Sequence, residues 1–272
     1  DEGSTVPFIA RYRKEATGNL DDTHLRTLEE RLLYLRDLEL RRAAILASIE
    51  EQGKLTDALR GTIEAATTKQ TLEDLYLPYK PKRRTRAQIA REAGLEPLAE
   101  ALFADPTLDP EQEAMKYLNV KPAAEGVEAI NVPDTKSALE GARDILVERF
   151  AETAELLAKL RTRLWEQGVV TSTVMKDKES AYEEKFRDYY AYSETIRTIP
   201  SHRALALFRG RTLGVLKLDL NLGEALEAVV PHPCIAMIAA HVGIEDRGRL
   251  ADQWLMGVCD WAWRVKIHLQ LS

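Results

Sequence analysis

Six positive charges fall within twelve residues, at Lys80, Lys82, Arg83, Arg84, Arg86 and Arg91, with no acid among them. A run of this kind can track the phosphates of a nucleic acid. Lys80, Lys82, Arg83, Arg84 and Arg86 are therefore the candidate nucleic-acid-binding residues. Pro78 and Pro81 hold the approach extended, and Tyr76 and Tyr79 lie beside it. A second reading makes the run a solvated segment that pairs with acidic helices of its own protein. The formal net charge is −6, which leaves about −12 for the rest of the chain. Nucleic-acid-binding domains are usually basic, so any contact of this type must be local. Smaller basic groups stand at Arg11, Arg13 and Lys14, and at Arg197, Arg203, Arg209 and Arg211.

Other chemistries lack their spacing. His232, Cys234 and His241 lie close in sequence, with Cys259 and His268 further on. None matches a C-x-x-C pair or an H-E-x-x-H helix, so no metal or other cofactor is expected. Ser201, His202 and Arg203 are consecutive, and neighbours on a helix point in different directions, so they make no dyad. Ser201 after Pro200 reads better as a helix cap. The chain has no G-x-S-x-G, and its glycines are scattered without a phosphate-loop pattern. No catalytic residue is assigned, and an enzyme is not expected.

The elements that would position these groups are mostly helical. Apolar residues at Leu25, Leu28, Leu32, Leu35, Leu38, Ile45 and Ile49 make one stripe over residues 22–52. Asp21 or Asp22 can cap that helix, and Asp37 and Arg41 are spaced to pair on its wet face. A second stripe, Leu139, Ala142, Leu146, Phe150, Leu157, Leu160 and Leu164, predicts one long strut helix over residues 135–167, opened by Pro133 and Asp134. Shorter helices are expected at 55–66, 86–93, 97–104, 111–118, 222–229 and 233–241. A last one, over 250–271, has Trp254, Val258, Trp261, Val265 and Leu269 on one face. Residues 169–175 and 214–220 read as two strands that can pair. Residues 88–95 have the spacing of a helix-turn-helix element. Its second helix, from Glu96, carries Glu96, Glu100 and Asp105 and no base. Such a helix would be repelled by phosphates, so base readout is not expected from it.

The fold class is therefore mainly α: multi-helical, with a helix-turn-helix-like element, one long strut helix and a small β element. A soft boundary near Pro133 divides residues 1–133 from 134–272. No apolar window approaches the roughly 20 residues of a spanning helix, so no membrane partner is expected. Two cysteines and no signal-like start point to the cytoplasm. Both ends read as cut, which suggests a piece of a longer protein.

Four stretches carry a resemblance across the whole chain. They are VPFIARYRKEATG (6–18), EDLYLPYKPKRRTRAQIAREAGLEPLA (73–99), SETIRTIPSHRALALFRG (193–210) and PHPCIAMIAAHVGIEDRGR (231–249). Each closely resembles the bacterial Tex family of transcription accessory proteins. The resemblance implies an N-terminal helical region followed, beyond this chain, by an RNase-H-like domain, paired helix-hairpin-helix motifs and an OB-fold. The OB-fold is the family's main nucleic-acid binder, by groove and aromatic chemistry. It implies no catalytic residue in this region. The function expected is a non-catalytic structural and interaction module of a nucleic-acid-binding transcription factor, with RNA or DNA as partner and the transcription machinery as a further one. Two alternatives are a part that assists an RNase-H-like nuclease and a scaffold that docks on RNA polymerase.

Overall fold

The computed structural model describes residues 3–81, 83–119, 131–175 and 183–272. They are mainly helical, with one small antiparallel sheet. The chain divides into two compact units, residues 1–80 and 81–272. The division falls between Lys80 and Pro81, and helices on both sides of Pro133 pack into one core.

The first unit holds α1 (Val6–Tyr12), α2 (Asp22–Glu51), α3 (Asp57–Glu64) and α4 (Lys69–Tyr76). Asp21 caps α2, its carboxylate accepting from the His24 backbone amide at 2.8 Å. Only part of the α2 stripe is covered. Leu38, Ile45 and Ile49 are buried with Ile63, Ala66, Leu72 and Tyr76, contributed by α3, α4 and the turn between them. Leu28, Leu32 and Leu35 stay exposed, since α3 and α4 reach only the C-terminal half. Asp37 and Arg41 do not pair with each other. Asp37 meets Lys69 at 3.0 Å and Arg41 meets Glu73 at 2.5 Å, so both charges tie α2 to α4.

The second unit opens with α5 (Arg86–Glu92), α6 (Glu96–Ala104) and α7 (Pro110–Met115), which pack on α8 (Thr135–Ala151). Asp134 caps α8 through the Ser137 amide at 2.7 Å. Ala138, Ala142, Ile145, Leu146, Phe150 and Ala151 of α8 are buried. Gly94 turns α5 into α6 at φ 81°, a conformation that favours glycine. Gly141 lets that turn approach: a Cβ there would lie 2.4 Å from Leu95 Cδ1 and 3.2 Å from Ala90 Cβ.

The expected strut over 135–167 is two helices, α8 and α9 (Ala154–Gln167). The chain turns extended at Thr153, with ψ 102°, and the Thr153 hydroxyl donates to the Arg149 carbonyl at 3.0 Å. That bond satisfies an end carbonyl of α8. Strands β1 (Val169–Val174), β2 (Ala191–Thr195) and β3 (Leu216–Asn221) form a sheet in the order β2-β1-β3. β1 pairs with β3 as its spacing predicts, with Ser172 opposite Leu218. β2 is an added edge strand, Val170 facing Glu194. Helix α10 (Ser201–Thr212) and a 3-10 turn over Glu183–Tyr189 cover it through Phe186, Leu207, Val215 and Leu216.

The rest is α11 (Glu224–Glu227), α12 (Pro233–Val242), α13 (Asp252–Trp261) and α14 (His268–Leu271). A π-helical turn over Ala262–Ile267 joins the last two. It widens the winding and rotates the buried face. Trp263 and Ile267 are buried, while Trp261, Val265 and Leu269 of the expected stripe are exposed. No described helix is long and apolar enough to cross a membrane.

Candidate nucleic-acid interface

The basic run is set by how α5 is fixed. Thr85 caps α5, its hydroxyl oxygen accepting from the Gln88 amide at 3.1 Å. The same hydroxyl donates to Glu148 Oε1 at 3.0 Å, which pins the start of α5 to α8. Arg91, at the other end of α5, donates from Nη1 to Glu148 Oε2 at 2.7 Å and from Nε to Glu96 at 3.3 Å. Lys266 Nζ lies 3.7 Å from the same carboxylate. Glu148 is almost fully buried, at 4% exposure, so it is a carboxylate surrounded by donors rather than by water. Burial works against the charge on Arg91, yet the hydrogen bond and charge of Glu148 outweigh it and hold the guanidinium above its ordinary pKa.

The six cations therefore separate. Arg91 is a structural partner of Glu148. Arg84 bonds Glu92 through Nε at 3.1 Å and Nη2 at 2.6 Å. That contact, first, and a bond from Gln88, second, hold the Glu92 carboxyl below the usual carboxylate range. Arg83 and Arg86 are exposed, and neither enters an ion pair among the described residues. Lys80 is exposed at the end of the first unit, and Lys82 lies outside the described residues. The acids of α6 are used internally. Glu96 meets Arg91, Glu100 meets Arg149, and Asp105 accepts from the Thr107 amide at 3.0 Å. Leu98, Ala99 and Leu102 bury the opposite side of α6.

Glu148, the anchor of α5, is scarcely marked in the sequence. Its only local signal is an acid directly after the apolar run Ile145, Leu146 and Val147. The histidines and cysteines hold structural posts. His232 caps α12, accepting from the Cys234 amide at 3.2 Å, and its Nε2 lies 3.2 Å from Glu227. Its ring stacks on Trp263 at 5.6 Å. Cys234 and Cys259 are buried free thiols, each pushed up to about 12 by burial. His241 Nδ1 lies 3.4 Å from Lys159 Nζ, and His268 Nε2 lies 2.5 Å from the Leu220 carbonyl. Pro200, not Ser201, occupies the cap position of α10, and Ser201 is its first helical residue.

Comparison with known proteins is consistent across the chain. The model of the Tex-like protein N-terminal domain matches residues 1–50, and the Tex central region-like model matches residues 105–272. Protein YhgF of Escherichia coli strain K12 is 56% identical over 273 residues, covering 100% of this chain and 34% of that protein. Transcriptional accessory protein Tex of Neisseria gonorrhoeae is 51% identical, with 100% and 34% covered. S1 RNA-binding domain-containing protein 1 of Homo sapiens is 30% identical over 241 residues, with 86% and 23% covered. The chain thus spans about a third of the length of the bacterial relatives it matches. With the family models covering both its ends and relatives matching it throughout, this chain belongs to the Tex family of transcription accessory proteins.

Proposed function

We propose that this chain is a non-catalytic interaction module of a transcription accessory protein, and that Arg83 and Arg86 rest on nucleic-acid backbone. One observation carries the reading. Arg84 and Arg91 are drawn into ion pairs, while Arg83 and Arg86 stand exposed without an ion pair among the described residues. The name of the human relative, an S1 RNA-binding domain-containing protein, supports nucleic acid as the partner, and the gonococcal name supports work beside the transcription machinery. Two buried free thiols suit a reducing cytoplasm.

Such a contact is sequence-blind, because phosphates carry no base information. It is weak alone, with a Kd of about 10⁻⁴–10⁻⁶ M. Arg83→Glu with Arg86→Glu should lower affinity for unrelated sequences alike and flatten the salt dependence by close to two units. Arg91→Glu should instead lower the melting temperature, since it places a second acid beside Glu148. Unchanged affinity and salt slope in the Arg83/Arg86 variant would refute the contact. Labelled RNA and DNA incubated with the chain and magnesium or manganese should stay intact. Cleavage abolished by one Asp or Glu substitution would refute the non-catalytic reading.

A further inference from the structure

A second cationic surplus lies away from the basic run. Residues 195–218 hold Arg197, Arg203, Arg209, Arg211 and Lys217 and no acid. Arg203 bonds Glu194 at 3.2 Å, beside Tyr192. Arg197, Arg209, Arg211 and Lys217 are exposed and enter no ion pair among the described residues. In a chain with more acids than bases, four exposed cations without carboxylates stand apart from the many pairs elsewhere.

Helix α10 adds a second, independent feature. Leu207 and Gly210 face the sheet, which sets the opposite side outward. On that outward side lie Leu205, 70% exposed, and Phe208, 58% exposed, followed directly by Arg209. A hollow of about 350 Å³ opens beside them, lined by Lys185, Phe186, His202, Leu205, Ala206 and Arg209. An exposed aromatic ring with guanidinium groups one and three residues on has the chemistry of a base-stacking platform. The ring takes the π-face of a base, and the cations take the flanking phosphates. A duplex hides its base faces within the stack, so the ligand that uses both features is single-stranded.

We propose that the outward face of α10 is a second nucleic-acid contact, binding a single strand with Phe208 against a base and Arg209 and Arg211 against its phosphates. This rests on the reading that the chain works on nucleic acid, but at a site separate from Arg83 and Arg86. The two chemistries make different marks. Phosphate contacts release counterions, so they set the salt slope at about 0.7 per contact on a single strand. Stacking releases none, so it changes affinity and leaves the slope alone.

The test measures the anisotropy of fluorescein-labelled oligo(U), and of oligo(dT) as a second arm, with the 272-residue chain at several salt concentrations. Arg209→Glu with Arg211→Glu should weaken binding and flatten the slope by roughly one to two units. Phe208→Ala should weaken binding about tenfold at unchanged slope, and Phe208→Trp should retain it. All these side chains are exposed, so melting temperatures should hold, and a variant that melts early is replaced by Arg209→Gln or Phe208→Leu. If neither the arginine nor the phenylalanine variant changes oligo(U) or oligo(dT) binding, the proposal is overturned and the face belongs to a protein partner. If only the Arg83/Arg86 variant loses affinity, this inference fails and the earlier reading stands. If only the α10 variants lose it, the reverse holds.

Discussion

Replacing Gly141 by alanine tests how closely the α5–α6 turn sits on α8, because two effects of known sign oppose each other. Alanine in a helix interior gains about 0.5–1 kcal/mol over glycine. At Gly141 the new methyl would sit 2.4 Å from Leu95 Cδ1 and 3.2 Å from Ala90 Cβ. Leu95 is 2% exposed, so it has little free space to move into. Overpacking of this kind costs about 1–3 kcal/mol. The net result is a loss of about 0–2.5 kcal/mol. Gly257 in α13 provides the control, since a Cβ there meets nothing within 4 Å. Helix propensity is common to both substitutions, so their difference isolates the packing cost, about 1–3 kcal/mol. On a Leu95→Ala background the 2.4 Å contact is gone and only the 3.2 Å approach to Ala90 Cβ remains, so Gly141→Ala should cost clearly less there than in the native chain. Urea unfolding followed by tryptophan fluorescence suits the measurement, since Trp165, Trp254, Trp261 and Trp263 all lie in the second unit. Equal gains from Gly141→Ala and Gly257→Ala would refute the close approach.

Two further outcomes follow from burial and charge. Leu146 is fully buried in α8, so Leu146→Ala should cost about 2–5 kcal/mol in a denaturant titration, and a loss near zero would move the α8 stripe out of the core. Asp252 is held down to about 2, first by the Arg249 side chain and then by the amides of Arg249 and Arg247. Its folded pKa is depressed, so its stabilisation is present above the unfolded value near 4 and is lost as pH falls towards 2. Asp252→Asn should therefore be less stable at neutral pH and lose less on acidification through that window. Parallel decline of both proteins would refute the assignment.

How much of this was legible depended on how local its cause is. The caps at Asp21 and Asp134 and the pairing of β1 with β3 follow from neighbouring residues, and the sequence shows them. The break at Thr153 hides because Phe150 and Leu157 stay in phase across it, and both are buried. The edge strand β2 reads Ala-Tyr-Ser-Glu-Thr, whose half-exposed face carries no apolar alternation to detect. The π turn shifts the phase of the last stripe without any change in composition. On α2, the stripe is continuous in sequence, but only tertiary structure decides which half α3 and α4 cover.

The same distinction governs the candidate site. Counting charges along residues 80–91 finds six equivalent cations, because their carboxylates lie elsewhere in the chain or at the far end of a helix. Arg91 finds Glu148, which is 57 residues away and buried, whereas Arg84 finds Glu92 at the far end of α5. A buried carboxylate needs its donors, so Glu148 fixes Arg91 and Thr85 and with them both ends of α5. What α5 then leaves exposed at its start, Arg83 and Arg86, is a remainder set by that anchoring. On α10 the remainder is of the same size, because Glu194 engages Arg203 while Arg209 and Arg211 are left without a carboxylate among the described residues. A basic run thus becomes informative once its internal partners are subtracted, and the subtraction sets two exposed arginines of α10 beside the two left at the start of α5.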